Sequence, residues 1–183
     1  FSDDSSVEKQ SGIKFGVFDG FTWIRCEGKG SFLESPALKE CADQRRNDGE
    51  KHFVIDLEGC TGMDSTFMGF LAGLAARVGR DDGWVHIASP GERNRQSLED
   101  LGLDCLLSIS PPEAPWRGRA DGIREELKPY APGRLPSIHE RARHVLDSHR
   151  DLASTSEANS KRFAGVLQVL EQQVSDESGS DGR

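Results

Sequence analysis

Two neighbouring hydroxyl residues, Ser65 and Thr66, stand between a glycine-containing turn and a long apolar segment. Residues 66–78 predict a helix, and the backbone N–H groups at the start of a helix are unpaired donors that favour an anion. A phosphoryl group on either hydroxyl would lie near these donors and would add a charge of about −1.5 to −2 beside Asp64. The residues alone therefore predict either a phosphorylation site or a simple helix cap, because Asp, Ser and Thr are also preferred capping residues.

The predicted helix also carries small residues on the side of the hydroxyl group. Thr66, Gly69 and Gly73 recur at helical spacing, so they share one face. Glycines beside a hydroxyl leave room for the backbone of another protein to approach it. This face is therefore a candidate docking surface for a protein partner.

The elements that would position this loop alternate between strands and helices over residues 12–110. Apolar runs predict strands at residues 13–17, 21–26, 52–57, 84–88 and 103–109. Cap signals predict one helix from an N-cap at Ser35 to Asp48, and another from a capping box at residues 89–92 to Gly102. This order predicts an α/β fold with a mixed, mostly parallel sheet and crossover helices.

The rest of the chain differs in composition. Residues 111–136 hold six of the eight prolines and predict a Pro/Gly-rich linker with one helical turn at residues 123–127. A capping box at residues 137–140 opens an α-helical C-terminal extension over residues 137–174, as one long helix or as two helices divided near Ser156. Residues 1–11 and 175–183 are rich in Ser, Asp, Glu and Gly, which predicts disorder.

Composition argues against several classes of protein. The formal net charge of −8 argues against a dedicated nucleic-acid binder. The longest apolar run, residues 67–76, is too short for membrane insertion. We expect the cysteines to be free thiols, which favours a reducing cytoplasm. The four cysteines form no CxxC pair, which predicts neither a zinc site nor a disulfide scaffold.

Enzyme chemistry is not expected either. The sequence lacks a GxSxG element, a phosphate-binding P-loop and a dinucleotide-binding glycine motif. His139, His144 and His149 are spaced by five residues, which distributes them around a helix instead of on one metal-binding face. We expect these histidines to be exposed to solvent. We therefore predict no catalytic residue, no metal and no cofactor.

The residues around the hydroxyl pair resemble a known family, the STAS domains, whose fold is that of bacterial anti-sigma factor antagonists. The family pattern has a strand ending in "DLS" and a helix opening with "MDSSGLG". The similar residues here are Asp56-Leu57-Glu58 and Met63-Asp64-Ser65-Thr66-Phe67-Met68-Gly69. An earlier family element resembles the region from Gly30 to Leu38. The resemblance covers residues 12–110 and implies a STAS-like fold for them.

The resemblance also implies a regulatory role for this loop. Thr66 matches the family phosphoacceptor, Ser65 is the alternative, and Asp64 would orient the hydroxyl. The implied partner surface comprises Gly62, Met63, Asp64, Phe67, Met68 and Gly69. The unphosphorylated form would bind an anti-sigma factor that is a serine/threonine kinase and so free a sigma factor, and a phosphatase would reset the switch.

Two questions stay open at this stage. An alternative function is that of a STAS subunit docking on the ATPase of a lipid or anion transport complex, without a phosphorylation switch. The C-terminal helices could pack on the STAS domain or on each other as a hairpin. They could instead form a homodimer or cap the kinase-binding face.

Overall fold

The computed structural model describes residues 12–180, with side chains as far as Glu177. The disorder predicted for residues 1–11 lies outside the described residues, as do residues 181–183.

A six-stranded sheet forms the centre of the fold. Its strands are β1 (Ile13–Phe18), β2 (Phe21–Cys26), β4 (His52–Asp56), β6 (Trp84–Ala88), β7 (Ser108–Ile109) and β8 (Lys128–Pro129), in the order β7-β6-β4-β2-β1-β8. Strands β2, β4, β6 and β7 are parallel, whereas β1 is antiparallel to both of its neighbours. Strands β3 (Gly28–Gly30) and β5 (Cys60–Met63) form a separate parallel pair. The predicted mixed, mostly parallel sheet is confirmed.

Two helices pack on one face of this sheet, namely α1 (Ser35–Asn47) and α2 (Ser65–Gly79). Phe53 and Ile55 of β4 point into this helical layer, and Val54 between them points to the opposite face. Because β4 is buried on both faces, its sequence is a continuous apolar run with no polar alternation.

The opposite face is covered by the segment that the sequence predicts as a linker. Trp116 is 5% exposed and packs edge-on against Trp23, with ring centroids 5.5 Å apart. Its indole N–H donates to Nδ1 of His86 at 3.1 Å. Helix α4 (Ala120–Glu125) follows, in place of the helical turn predicted at residues 123–127, and places Ile123 in the same cluster. The prolines exclude a central strand, as expected, yet they permit the edge strand β8.

An ion-pair network at the end of β4 binds the segment that contains Trp116 and α4 to the sheet. Nε and Nη2 of Arg124, in α4, donate to the two carboxylate oxygens of Asp56 at 2.8 and 3.1 Å, and Arg25 adds a third bond at 3.1 Å. Asp56 is fully buried. Burial alone would raise its pKa, but the bonds from Arg124 and from the Glu58 N–H, with the charge of Arg25, outweigh this and hold the pKa below its ordinary value.

The strand predicted at residues 103–109 is wrong over most of its length. A single 3-10 turn, Leu103–Cys105, comes first, and only Ser108–Ile109 pair with the sheet. Leu103 and Leu107 are both buried in the core. The apolar signal therefore arose from side chains that fill the core from a turn.

Two predicted helix caps are also wrong. Helix α3 (Glu92–Asp100) begins after Gly91 without a side-chain cap, and Ser89 adopts a left-handed backbone with φ 49°. Glu34 is the N-cap residue of α1, so Ser35 lies inside the helix. The Ser35 hydroxyl contacts a histidine 109 residues later in the chain.

The end of the chain folds as two helices, α5 (Ile138–Ala153) and α6 (Glu157–Ser180), which we call the C-terminal hairpin. The Ser137 hydroxyl accepts from the N–H of Glu140 at 3.1 Å, which confirms the predicted cap. The helices separate before Ser156, whose hydroxyl accepts from the N–H of Asn159 at 3.0 Å. Helix α6 continues through residues 175–180, where the composition predicted disorder. The predicted α-helical C-terminal extension is confirmed.

Candidate functional site

The hydroxyl pair lies where β5 ends and α2 begins. The N–H of Asp64 donates to the carbonyl of Gly30 at 2.8 Å, so the β3–β5 pair holds the start of the helix. A Cβ added at Gly30 would lie 3.1 Å from the carbonyl oxygen of Gly62 and from the ring of Phe67. Glycine at position 30 therefore allows β3 to approach the helix start closely.

Asp64 caps the helix and holds a neighbouring loop. One carboxylate oxygen accepts from the N–H of Phe67 at 2.9 Å, and the other accepts from the N–H of Phe32 at 2.7 Å. Phe32 and Leu33, two adjacent apolar residues of this loop, are 47% and 61% exposed. An open apolar surface therefore borders the start of α2.

Ser65 is half-buried and bonded to the C-terminal hairpin. Its hydroxyl lies 2.8 Å from Nε2 of His149 in α5. The other ring nitrogen of His149, Nδ1, lies 2.8 Å from the carbonyl oxygen of Val145. A carbonyl can only accept, so Nδ1 carries the hydrogen, and in the neutral ring Nε2 accepts from the serine hydroxyl. The histidine thus holds the serine hydroxyl within the hairpin interface.

Most of the other predicted site residues are buried. Thr66 is 4% exposed, and Met68 and Gly69 are also buried. Phe67 is fully buried in the core, and Met63 is partly buried against it. The structure thus brings the predicted residues together at one helix start. In this conformation, neither Thr66 nor Phe67 offers a surface to a partner.

Helix α5 occupies the space that the glycines of α2 leave. A Cβ added at Gly69 would lie 2.2 Å from the carbonyl oxygen of Ser148, and one added at Gly73 would lie 2.1 Å from Oδ2 of Asp151. Neither distance is compatible with a real Cβ atom. Gly69 therefore admits a close backbone approach, and in this structure the approaching backbone belongs to the same chain and not to the partner protein that the sequence predicts.

The sequence analysis missed the histidines that form this interface. His144 and His149 are buried, contrary to the expectation that they are exposed. His144 Nε2 lies 2.6 Å from the Ser35 hydroxyl, and burial lowers the pKa of His144 to about 4, with a smaller contribution from the charge of Lys39. A signal was available for His149, because it lies one helical turn from Val145 and from Leu152, on the apolar stripe of α5.

The described residues contain no metal site. Among residues 12–177, no group of three or more His, Cys, Asp or Glu side chains is arranged to hold a metal ion. Cys26, Cys41 and Cys60 are buried free thiols, and Cys105 is exposed. None of the helices described between residues 12 and 180 is long and apolar enough to cross a membrane.

Comparison with known proteins agrees with this architecture. The family model of the STAS domain matches residues 12–114. An anti-sigma-B factor antagonist of Staphylococcus aureus is 26% identical over 92 residues, which is 50% of this chain and 85% of the relative. The crystal structure of an anti-sigma factor antagonist from Mycobacterium paratuberculosis has a TM-score of 0.51 and 20% identity, over 61% of this chain and 92% of that one. The latter likeness shows the fold.

The matched region contains β1 to β7 and all the residues of the hydroxyl site except those that α5 contributes. The C-terminal hairpin follows this region as an addition to the domain. With the family model matching more than half of its length, the chain belongs to the STAS domain family.

Proposed function

We propose that this protein is an anti-sigma factor antagonist that is switched by phosphorylation of Ser65 or Thr66. Its partners would be an anti-sigma factor with serine/threonine kinase activity and a phosphatase that resets the switch, acting on transcription in the cytoplasm. The observation that carries the proposal is the start of α2, where Asp64 caps a STAS-type helix directly before two hydroxyl residues. The similarity to anti-sigma factor antagonists supports the same assignment.

The open surface around Asp64 supports a protein partner in particular. Exposed Phe32 is joined through its N–H to the Asp64 carboxylate, and Leu33 lies beside it in the chain. A partner could bury these apolar side chains while it contacts the helix start. Apolar contacts of this kind supply affinity, and the polar groups beside them fix orientation.

Phosphorylation at this site would change the surface strongly. The Asp64 carboxylate already occupies the Phe67 N–H, one of the donors at the helix start. A phosphoryl group would bring a charge of about −1.5 to −2 next to this carboxylate. The resulting repulsion, together with the size of the group, would disrupt a complementary contact with an acidic or closely packed partner.

The test is intact-mass analysis of the protein isolated from its native cells, with phosphatase inhibitors present and peptide mapping of residues 52–77. We expect a fraction of the chains to carry about 80 Da on Ser65 or Thr66, the mass of one phosphoryl group. The fraction should change between growth and stress conditions. A peptide that stays unmodified under all conditions would refute the proposed switch.

Two substitutions assign the acceptor. Ser65→Ala and Thr66→Val each remove one hydroxyl and retain a small side chain at that position. We expect the added mass to disappear in one of the two variants only. If the added mass persisted in both variants, neither hydroxyl would be the acceptor, although the protein would still be modified.

A further inference from the structure

The C-terminal hairpin covers the face of α2 that carries the hydroxyl pair. At Gly69 the carbonyl oxygen of Ser148 approaches so closely that only glycine fits, and at Gly73 the carboxylate of Asp151 lies against the helix. Asp151 also pairs with Arg77 at the end of α2, at 3.2 Å. Side chains of α5 therefore contact α2 in both its first and its last turn.

Ser65 contacts the hairpin directly, and Thr66 lies on the same helix face as Gly69, where the hairpin approaches α2. Ser65 is bonded to His149 of α5, and Thr66 is almost completely buried. A kinase must bring a nucleoside triphosphate to the acceptor oxygen. This oxygen bonds to the γ-phosphorus, the bond to the leaving nucleoside diphosphate breaks, and the hydroxyl proton passes to a base of the kinase. That transfer cannot take place beneath a packed helix.

Contacts of the hairpin suit a segment that detaches. Four separate polar contacts join it to the domain, beside the apolar packing of Leu152 and Phe163: Ser35 with His144, Ser65 with His149, Arg77 with Asp151, and the Asn159 side chain with the Leu101 carbonyl. Each of these groups can exchange its partner for water on opening, so the net free energy of each bond is modest. The main apolar anchor of α5 in the domain core is Leu152, which is fully buried there.

The tether to the hairpin also permits such a movement. Residues 131–135 and 137 are exposed, and Leu135 is among the most exposed apolar side chains. Seven residues, 131–137, span about 20 Å when extended. The hairpin can therefore leave α2 while β8 and the segment around Trp116 stay in place.

From these contacts we infer that the C-terminal hairpin is an autoinhibitory cover of the α2 face. It must lift before a kinase reaches Ser65 or Thr66, and a phosphoryl group on either residue prevents it from closing again. A phosphoryl group on Ser65 would occupy the space that now holds the serine–histidine bond, and one on Thr66 would lie beside Gly69, where the Ser148 carbonyl meets α2. The inference rests on the proposed function and adds to it a switch between a covered and an uncovered state.

Thiol labelling measures the opening without a kinase. In a Thr66→Cys variant of the full chain, the new thiol reports the lifting of the hairpin. Cys105, which is exposed, reports the unhindered rate, and Cys26, buried in β2, reports global unfolding. A small alkylating reagent and peptide mapping give the three rates in one sample. We expect the rate at position 66 to lie between the other two.

Two glycine variants of α2 then separate lifting from general damage. Gly69→Ala, in the Thr66→Cys background, places a methyl group against the Ser148 carbonyl, whereas Gly79→Ala places it in open space. Overpacking of the first kind should raise the labelling rate at position 66 about 10- to 100-fold. Gly79→Ala should leave it within about twofold of the parent, because open space adds no clash. Cys26 should stay protected in both, which shows that the domain remains folded.

The closing step is tested by hydrogen exchange of residues 138–177. Thr66→Glu should increase exchange throughout the hairpin, and Thr66→Val should not, while the exchange of β2 and β4 stays slow in both. A hairpin that stays protected in Thr66→Glu would overturn the inference. The inference would also be overturned if the thiol at position 66 were labelled as slowly as Cys26, whether or not Gly69→Ala is present.

These outcomes are distinct from failure of the proposed function. A modified site in native cells together with a hairpin that never lifts would refute the cover and leave the switch. A hairpin that lifts in the labelling experiment, in a protein whose residues 52–77 are never modified, would refute the switch.

Discussion

The interface between the hairpin and the domain should weaken in mild acid, and His144 is the residue to test. Its ring is buried against Ser35, and burial lowers its pKa from 6.5 to about 4. The carboxylates of Asp147, Asp43 and Asp64 act in the opposite direction without cancelling this effect. His144 is therefore neutral in the folded protein wherever the pH exceeds about 4.

The sign of the pH dependence follows from proton binding. Between pH 6.5 and pH 4 the unfolded chain binds a proton at His144 that the folded chain excludes. The stabilisation is complete above the unfolded pKa and is lost as the pH falls towards the folded pKa. At about 1.4 kcal/mol per pKa unit, His144 should account for a loss of about 2.5 kcal/mol between pH 7.5 and pH 4.5.

Urea unfolding followed by circular dichroism at the two pH values measures this loss. Other groups titrate in the same range, so the comparison is between the wild type and His144→Gln, which keeps a polar side chain but cannot be protonated. Between pH 7.5 and pH 4.5, the free energy of unfolding of the variant should fall by about 2.5 kcal/mol less than that of the wild type. His139→Gln, which removes a histidine from an exposed position of the same helix, is the matched control for the substitution itself. Parallel profiles for the wild type and His144→Gln would refute the reasoning.

Two further predictions concern the segments added to the domain. Arg124→Ala should reduce the free energy of unfolding by about 3 kcal/mol, because it leaves the buried Asp56 with Arg25 as its remaining cation. Removing the exposed Arg134 should leave the free energy of unfolding almost unchanged, and equal losses for the two variants in urea unfolding would contradict this reasoning. Leu152→Ala should reduce the stability of the closed hairpin by about 3 kcal/mol and increase the phosphorylated fraction of residues 52–77 in cells. Val169→Ala, on the exposed side of α6, should change neither quantity. An unchanged phosphorylated fraction in Leu152→Ala would contradict the proposed autoinhibition.

Local signals were sufficient for most of the domain. Strands β2 and β6 begin and end at the predicted residues, because apolar runs bounded by polar or glycine residues describe buried parallel strands well. Helix α1 ends as predicted, with Gly49 at φ 96° directly after the C-cap Asp48. The start of α2 was also predicted, since Asp64 is a strong cap before an apolar segment.

Predictions failed where the environment of a residue depends on distant parts of the chain. Trp116 is buried because Trp23 and His86 lie beneath it, and no local sequence pattern predicts this contact. Likewise, His144 is buried because α5 packs on α1 and α2, so its surroundings come from residues more than 70 positions away. Ser35 was interpreted as a cap from its neighbour Pro36, although its hydroxyl is bonded to that distant histidine.

The cover also determines how strongly a partner must bind. A tethered segment acts at an effective concentration of about 1 mM, far above the concentration of a typical regulatory protein. If the closed state is favoured about 100-fold, the apparent affinity of a partner for the α2 face falls by the same factor, because it binds the open fraction alone. Phosphorylation would remove this competition and alter the partner surface at the same time. The surface at Gly69 and Gly73 would therefore bind the hairpin in the closed chain and a partner protein after opening. The equilibrium between these two states would determine how much partner is bound.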